Sequence, residues 1–293
     1  MQMSDETESE NVEDRRGMGG PMAVGGGLGG LSIIGIIIFL IQGGDPKQIL
    51  DKVQQQQGAQ QGHVSAKQND AEKVFVSKVL HLTEDVWEEQ FREQGMRYKK
   101  PKLVVFNGVT NTACGQGESA MGPFYCPGDQ QVYIDLDFFA ELRKLTGTSA
   151  DFARAYVIAH EVGHHVQNLM GYSQKVDSQR GRVSKEAMNQ LSVRLELQAD
   201  YLAGVWGYHA NKQKKILEPG DIESGLQAAQ GIGDDKLQQG AGRAVRPESF
   251  THGTSKQREF FLKTGLQRGD ASKKTLDYFF TVPYERLGRD FPE

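Results

Sequence analysis

Cysteine is nearly absent from this sequence, which has two cysteines and nine prolines among its 293 residues. Two cysteines are too few for a disulfide-rich scaffold or for a four-cysteine zinc site. The 35 glycines follow no triplet repeat, so a collagen-like chain is excluded. Positive charge is not in excess either, because there are 34 basic and 38 acidic side chains and the net charge is −4. Nucleic-acid binding requires a strongly cationic surface, so we expect no nucleic-acid partner.

Ionisable side chains are missing altogether from residues 17–44. The apolar centre of this stretch, residues 31–41, reaches about 20 residues when it is extended back to Pro21, which is the length that a bilayer-spanning helix requires. We therefore predict a single transmembrane anchor over residues 21–42. A cleaved signal peptide and a buried core helix are the alternatives. The acidic start and the lack of an Ala-x-Ala site disfavour the first, and the linker that follows disfavours the second.

The segments on either side of the predicted anchor are polar. Residues 1–20 are acidic and have no hydrophobic pattern, which predicts a disordered tail. Residues 43–70 are rich in Gln and Gly, which predicts a flexible linker, and the folded body is then residues 71–293. Basic side chains flank the anchor on both sides, so the positive-inside rule is nearly balanced. Glycines spaced four apart in the anchor leave open a homodimer through this helix.

The body has enough apolar side chains for a core, since 38% of all residues are hydrophobic. Apolar spacing predicts a first helix over residues 72–90 and strands at residues 102–106 and 131–136. Further helices are predicted at residues 138–146, 149–170, 184–212, 219–229 and 255–267. Strands that precede helices indicate an α+β fold, here mostly helical with a small sheet.

The predicted helix at residues 149–170 contains the sequence His160-Glu161-Val-Gly-His164. Positions i and i+4 of a helix lie on one face, so both imidazoles can converge on one Zn²⁺ ion. Glu161 lies beside the first ligand, where it can act as general base on a zinc-bound water and later pass the proton to the leaving amine. The motif therefore predicts a hydrolase with one Zn²⁺ ion. The alternative is a pair of surface histidines beside an ordinary glutamate.

A catalytic zinc site needs a third protein ligand. In the metzincin class of zinc peptidases the third ligand is a histidine at the position where this chain has Met170. The metzincin ligand set is therefore excluded. A later predicted helix carries Glu196 and Asp200, four residues apart among apolar side chains. We predict that Glu196 completes a His₂Glu site and that Asp200 accepts the other ring N–H of a ligand histidine. The alternative is that both carboxylates lie on a solvated helix face.

Together these motifs resemble the gluzincin class of zinc peptidases. Two further stretches, Cys114-Gly-Gln-Gly-Glu-Ser-Ala-Met-Gly-Pro-Phe-Tyr-Cys126 and Thr251-His-Gly-Thr-Ser-Lys-Gln-Arg258, narrow the similarity to the bacterial putative neutral zinc metallopeptidase family. The resemblance covers nearly the whole chain. It implies a zincin-like catalytic domain, one zinc ion and a membrane-attached bacterial protein.

Cys114 and Cys126 lie in a glycine-rich stretch. In an oxidising compartment they would form a disulfide, and in the cytosol they would be free thiols. Roles as zinc ligands or as a catalytic nucleophile are disfavoured, because the sequence supplies no Cys/His partner pair nearby. We predict the disulfide and, with it, an extracytoplasmic body. The expected location is the bacterial inner membrane, crossed once, with the N-terminus inside.

Three side chains are candidates for stabilising the oxyanion of a tetrahedral intermediate: His252, Arg258 and Tyr172. For His252 the alternative is a structural role in a turn or in the core. His165 lies about 100° from the ligand face, so we expect it to make no metal contact. The strand at residues 132–136 could pair with an extended peptide if it lies at a sheet edge, and an interior position is the alternative.

The first functional hypothesis is a membrane-anchored zinc metallopeptidase that cleaves a protein or peptide substrate. The second is a zinc-stabilised, non-catalytic domain that binds an envelope partner, and the third is a zinc hydrolase of another amide, such as a cell-wall amide. The presence of Glu161 favours catalysis, because a purely structural zinc site does not require it. No sequence feature separates peptide from other amide substrates.

Overall fold

The computed structural model describes residues 1–16, 66–119, 122–148, 150–289 and 291–292. Its strands are β1 (Val12–Asp14), β2 (Lys102–Phe106), β3 (Val109–Thr112), β4 (Gly115–Glu118), β5 (Phe124–Cys126) and β6 (Gln131–Asp135). Its α-helices are α1 (Ala66–Glu93), α2 (Phe138–Thr146), α3 (Asp151–Leu169), α4 (Tyr172–Asp177), α5 (Lys185–Lys214), α6 (Asp221–Gly231), α7 (Asp234–Gly240), α8 (Ser255–Arg268) and α9 (Lys273–Thr281). The prediction of a mostly helical α+β domain with a small sheet is confirmed.

Four strands form a mixed sheet in the order β1-β2-β6-β5. Strands β1, β2 and β6 run parallel, with Val105 of β2 opposite Ile134 of β6, and β5 runs antiparallel to β6. Strands β3 and β4 form a separate antiparallel hairpin. The strand predicted at residues 131–136 is therefore interior, because it pairs on both sides. The short strand β5, which the sequence did not predict, lies at the edge of the sheet.

Residues 1–16 fold onto the body, which corrects the prediction of a disordered tail. Strand β1 pairs with β2, and Met3 is buried in the main hydrophobic core. Ser9 Oγ and Asn11 Nδ2 both donate hydrogen bonds to the buried carboxylate of Glu84, at 2.7 and 2.8 Å. Ser9 and Asn11 thus find a partner in the body, whereas Asp5, Glu8 and Glu10 are exposed.

The predicted anchor at residues 21–42 lies outside the described residues. Among the helices that the structure does describe, none combines the length and apolar character needed to cross a bilayer. Helix α1 begins at Ala66, inside the linker predicted at residues 43–70. A chain that crossed a bilayer once between Arg16 and Ala66 would separate β1 from β2, whereas the structure pairs these strands in one sheet. The predicted single crossing, with the N-terminus inside and the body outside, does not fit this pairing.

Helices α3 and α5 carry the predicted metal ligands, and a glycine lets them approach closely. Helix α3 contributes His160 and His164, and helix α5 contributes Glu196. A Cβ atom on Gly163 would lie 3.1 Å from the carbonyl oxygen of Ala199, so the two backbones are in contact at this point. The contact lies level with the ligands and brings them together.

Helix α8 crosses α5 at a second glycine contact. A Cβ atom on Gly265 would lie 2.1 Å from the carbonyl oxygen of Tyr201 and 2.9 Å from the Cα atom of Gly204. No side chain fits there, so this close crossing requires glycine. It brings Arg258, in the first turn of α8, within reach of Asp200 on α5.

Candidate metal centre and active site

Three side chains from α3 and α5 converge on one point. His160 Nε2 lies 3.2 Å from Glu196 Oε2, and His164 Nε2 lies 3.5 Å from Glu196 Oε1. One potential ligand atom from each residue lies within 4.8 Å of the others. The structure therefore brings together the three residues that the sequence predicts as metal ligands.

The chemistry of these donor atoms fits a zinc ion. Ligand atoms bound at about 2.0–2.1 Å to a tetrahedral ion are about 3.3–3.4 Å apart. Each imidazole Nε2 lies close to that distance from one oxygen of Glu196, at 3.2 Å from Oε2 and 3.5 Å from Oε1. Two imidazoles and one carboxylate are also a donor set found in catalytic zinc sites. The donor types fit Zn²⁺, and a set with one atom from each residue, now within 4.8 Å, has to draw together to bind it.

The other ring nitrogen of each ligand histidine is engaged by an acceptor. His160 Nδ1 lies 2.8 Å from Asp200 Oδ1, and His164 Nδ1 lies 2.8 Å from Gln167 Oε1. Gln167 is oriented in turn by donating to the Leu195 carbonyl at 2.6 Å. With a proton on each Nδ1, each Nε2 presents a lone pair to the shared point. The sequence predicts this role for Asp200 and misses Gln167.

Asp200 is fully buried, and the guanidinium group of Arg258 lies against its carboxylate. Arg258 donates from Nε to Oδ2 at 2.8 Å and from Nη2 to Oδ1 at 2.9 Å, and the Tyr156 hydroxyl donates to Oδ1 at 2.6 Å. Burial favours the neutral acid, but the charges of Arg258 and His160 outweigh it and hold the pKa of Asp200 below its usual value. Arg258 thus supports Asp200 rather than an oxyanion, because a buried carboxylate needs a partner.

The same carboxylates act on His160. Burial favours the neutral imidazole, but Asp200 and Glu196 outweigh it and raise the pKa of His160 to about 10. A metal ion at the shared point competes with this proton. Metal binding should therefore weaken as the pH falls.

Glu161 lies in the same cavity as the ligands and is 8% exposed. Burial raises the pKa of this carboxyl, against the opposing charges of His164 and His160. A general base is most effective when its pKa lies near the working pH. The environment of Glu161 therefore suits the role that the motif predicts.

His252 also lines this cavity, and Asp234 holds it. His252 Nδ1 lies 3.1 Å from Asp234 Oδ1, while Asp234 Oδ2 accepts from the backbone N–H groups of Thr251, His252 and Gly253 at 2.7–3.1 Å. Burial disfavours the charged imidazole, but Asp234 and Glu196 raise the pKa of His252 above its usual value. The Nε2–H group of the charged ring can then donate into the cavity. The sequence gives no sign of Asp234.

The other two side chains considered for the site have partners elsewhere. The Tyr172 hydroxyl donates to Asp277 at 2.9 Å, so this tyrosine does not serve the cavity. His165 Nε2 lies 2.6 Å from the Lys99 carbonyl oxygen, and its Nδ1 lies 2.9 Å from the Tyr125 hydroxyl. His165 therefore has no nitrogen left for a metal ion, in agreement with its position on α3.

The cavity has a volume of about 510 Å³. Strand β5 forms part of its wall, together with the polar residues described above. The apolar part of the wall comes from four helices and one turn: Phe138 of α2, Val157 of α3, Leu195 of α5, Leu237 of α7 and Ile232 of the α6–α7 turn. A cavity with apolar walls and a few converging polar groups is typical of a binding site for part of an organic molecule.

The structure joins Cys114 and Cys126 in a disulfide, with an S–S distance of 2.01 Å. Cys114 lies in the turn between β3 and β4, and Cys126 ends β5. The hairpin also packs on β5, since a Cβ atom on Gly117 would lie 2.4 Å from the ring of Phe124. The bond therefore connects the hairpin to the strand at the cavity.

Two histidines one helical turn apart, a glutamate after the first and a third ligand from a second helix are the arrangement of the HExxH class of metallohydrolases. The chain belongs to the putative neutral zinc metallopeptidase family, whose model matches residues 1–276. Over 276 residues it is 46% identical to the uncharacterized protein YpfJ of Escherichia coli strain K12, covering 91% of this chain and 95% of that protein. Over 185 residues it is 43% identical to the uncharacterized protein Rv2575 of Mycobacterium tuberculosis strain H37Rv, covering 59% of this chain and 61% of that protein. No solved structure matches the chain.

Proposed function

We propose that the protein is a zinc-dependent metallopeptidase. The observation that carries this proposal is the convergence of His160, His164 and Glu196 in a cavity that also contains Glu161. Structural zinc sites are usually closed by four protein ligands, whereas catalytic sites have three and an open position. Three donors facing a cavity of about 510 Å³ fit the catalytic pattern.

The side chains around the cavity have distinct roles in this proposal. A Zn²⁺ ion held by His160, His164 and Glu196 would supply Lewis acidity for a substrate carbonyl and for a water molecule. Glu161 accepts a proton from that water and transfers it to the leaving amine. His252, held by Asp234, donates a hydrogen bond from Nε2 to the carbonyl oxygen as negative charge develops there. Asp200 and Gln167 keep the ligand imidazoles oriented.

Strand β5 supports a peptide as the substrate. It lines the cavity and pairs with β6 along one side. An extended peptide can add to the other side of such an edge strand through backbone hydrogen bonds. This geometry favours a peptide over a non-peptide amide, which has no backbone to pair.

We also propose that the body works in an oxidising compartment of the bacterial envelope. The Cys114–Cys126 disulfide supports this location, because cytosolic thiols are kept reduced. Alkylation of free thiols in intact cells, followed by mass spectrometry, tests it. Finding both cysteines alkylated without prior reduction would contradict the location.

The decisive experiment measures zinc and cleavage on the same samples of the full chain. We expect one zinc per chain and cleavage of fluorescent casein or of members of a peptide library. Glu161→Gln should keep its zinc and lose cleavage by about 10³-fold or more, and Glu196→Ala should lower the zinc content. Glu186→Gln, an exposed position on the same helix as Glu196, is the matched control.

The outcomes separate the alternatives. Zinc without cleavage of any peptide would favour the non-catalytic domain, and release of amide fragments from isolated cell wall would favour the other hydrolase. Cleavage that persists in Glu161→Gln would remove Glu161 from its role. A chain that binds no zinc would overturn the proposal.

A further inference from the structure

Tyr125 connects the edge strand β5 to the metal-ligand helix α3. Its hydroxyl lies 2.9 Å from His165 Nδ1 and accepts a hydrogen bond from Asn168 Nδ2 at 3.0 Å. Tyr125 also lines the cavity. We call Tyr125, His165 and Asn168 the Tyr125 clasp.

Both helix residues of the clasp are fixed on their far sides. His165 and Asn168 are three positions apart on α3, and Asn168 also lies one turn beyond the ligand His164, so the pair borders the ligand face. His165 is fully buried, and its Nε2 lies 2.6 Å from the Lys99 carbonyl oxygen. Asn168 Oδ1 accepts from Gln174 Nε2 at 2.5 Å. The position of the Tyr125 hydroxyl is therefore determined by the body, not by a bound substrate.

The hydrogen bonds also settle where the protons lie. The Lys99 carbonyl can only accept, so His165 carries a proton on Nε2. A second proton would create a fully buried imidazolium between two neutral partners, which is costly. His165 Nδ1 is therefore an acceptor, and Tyr125 donates its single hydroxyl proton to it. Tyr125 has no proton left to donate to a group in the cavity.

Strand β5 depends on such a connection because it is short. It has three residues, and its sheet pairing is with β6 alone among the described strands. Short strands with few hydrogen bonds open readily. On one face β5 is attached through the Cys126 disulfide and by the stacking of Phe124 on Tyr133. The clasp provides the attachment on the face toward α3.

We infer that the Tyr125 clasp is a positioning device, which sets the distance between the edge strand and the metal ligands and so orders the surface on which an extended peptide binds. This inference rests on the proposed peptidase function. Tyr125 and His165 are then positioning residues, and the hydrogen bond to the developing oxyanion is left to His252. Loss of the clasp should weaken substrate binding without slowing the chemical step.

Kinetics of the variants distinguish positioning from proton donation. In Tyr125→Phe we expect KM for the best library peptide to rise about five- to tenfold, because binding must then order β5, with kcat within about twofold of wild type. A donor to the transition state would instead show a fall in kcat of about 10²–10³-fold, and that result would overturn the inference. Tyr201→Phe is the matched control, since it removes a tyrosine hydroxyl that donates to the Asp270 carbonyl, away from the cavity.

Variants at His165 test the same connection from the other side. His165→Asn keeps an acceptor near the position of Nδ1 and should retain a KM close to that of wild type. His165→Phe removes the acceptor and should raise KM as much as Tyr125→Phe does, and the double variant should show no further rise. Additive effects in the double variant would mean that the two residues act separately, which contradicts a clasp.

A second readout needs neither substrate nor activity. In the zinc-loaded full chain with ¹⁵N-labelled histidine, the ring signals of His165, assigned by their loss in His165→Asn, should be those of the neutral Nε2–H tautomer. A proton on Nδ1 would overturn the proton arrangement. If no peptide is cleaved, the proposed function fails, while this spectrum still decides whether the clasp exists.

Discussion

Two histidines in the cavity are each held at Nδ1 by an aspartate, and the surroundings of the two aspartates differ. Asp200, which holds His160, is fully buried and accepts two hydrogen bonds from the guanidinium of Arg258. Asp234, which holds His252, accepts from three consecutive backbone N–H groups. The first imidazole presents a lone pair to a metal ion, and the second can present a proton to a substrate. In the proposed mechanism the same His–Asp pair therefore serves two purposes, because His160 belongs to the metal cluster and His252 does not.

Loss of the cation beside Asp200 should have the largest effect. Arg258→Met leaves a buried carboxylate without its guanidinium, so we expect the free energy of unfolding to fall by about 3–5 kcal/mol, measured by urea denaturation after zinc removal. The double variant Arg258→Met, Asp200→Asn should recover part of this loss, because the uncompensated charge is gone. An unchanged denaturation midpoint in Arg258→Met would show that this aspartate needs no cation.

Loss of the proton donor should come next. In His252→Phe we expect kcat to fall by about 10²–10³-fold, with the zinc content unchanged, because His252 is no ligand. His209→Phe is the control, since its Nε2 lies 2.7 Å from the Gly269 carbonyl, away from the cavity. A loss of zinc in His252→Phe would mean that the two histidines share one role.

Substitution of the two aspartates should change the affinity for zinc by different amounts. Asp200→Asn should lower the affinity for zinc by about 10–100-fold, since a carboxylate bonded to a ligand imidazole makes it a better donor. Asp234→Asn should leave the affinity within about twofold of wild type. Titration against a chromophoric chelator measures both. Equal losses would remove the distinction drawn between them.

The pH dependence of kcat should show the smallest change. Burial lowers the pKa of His252, but Asp234 and Glu196 outweigh it, so the pKa is raised. The charged form donates, and therefore kcat should fall as the pH rises through that raised pKa. Asp234→Asn removes part of the raising charge, so the alkaline limb of the profile should move to lower pH. An alkaline limb that stays in place would assign it to another group.

The ligand set could be predicted from the sequence because helical spacing encodes it. His160 and His164, and likewise Glu196 and Asp200, are four residues apart in segments with clear apolar periodicity, so each pair lies on one helix face. Asp234 is different. It meets His252 across a loop, and no periodic pattern connects residues that are brought together only by tertiary packing.

The sheet was harder to predict than the helices. The alternation in β6 was visible, but β5 has three residues between glycine- and proline-containing turns, too few for a pattern. The prediction of disorder for residues 1–16 was wrong for another reason. Its composition shows that it cannot form a core of its own, but it does not show that Met3 and the partners of Glu84 fit a core built by the rest of the chain.

Because β1 is a strand of the body's sheet, a peptide bond hydrolysed anywhere between Arg16 and Ala66 would not release the N-terminal fragment. The strand pairing and the burial of Met3 hold it without a covalent connection. A nicked molecule would therefore elute as one particle in gel filtration and separate into two bands only on a denaturing gel. If the fragment were lost, β2 would become an exposed edge, and the sheet would offer an unpaired strand to another chain.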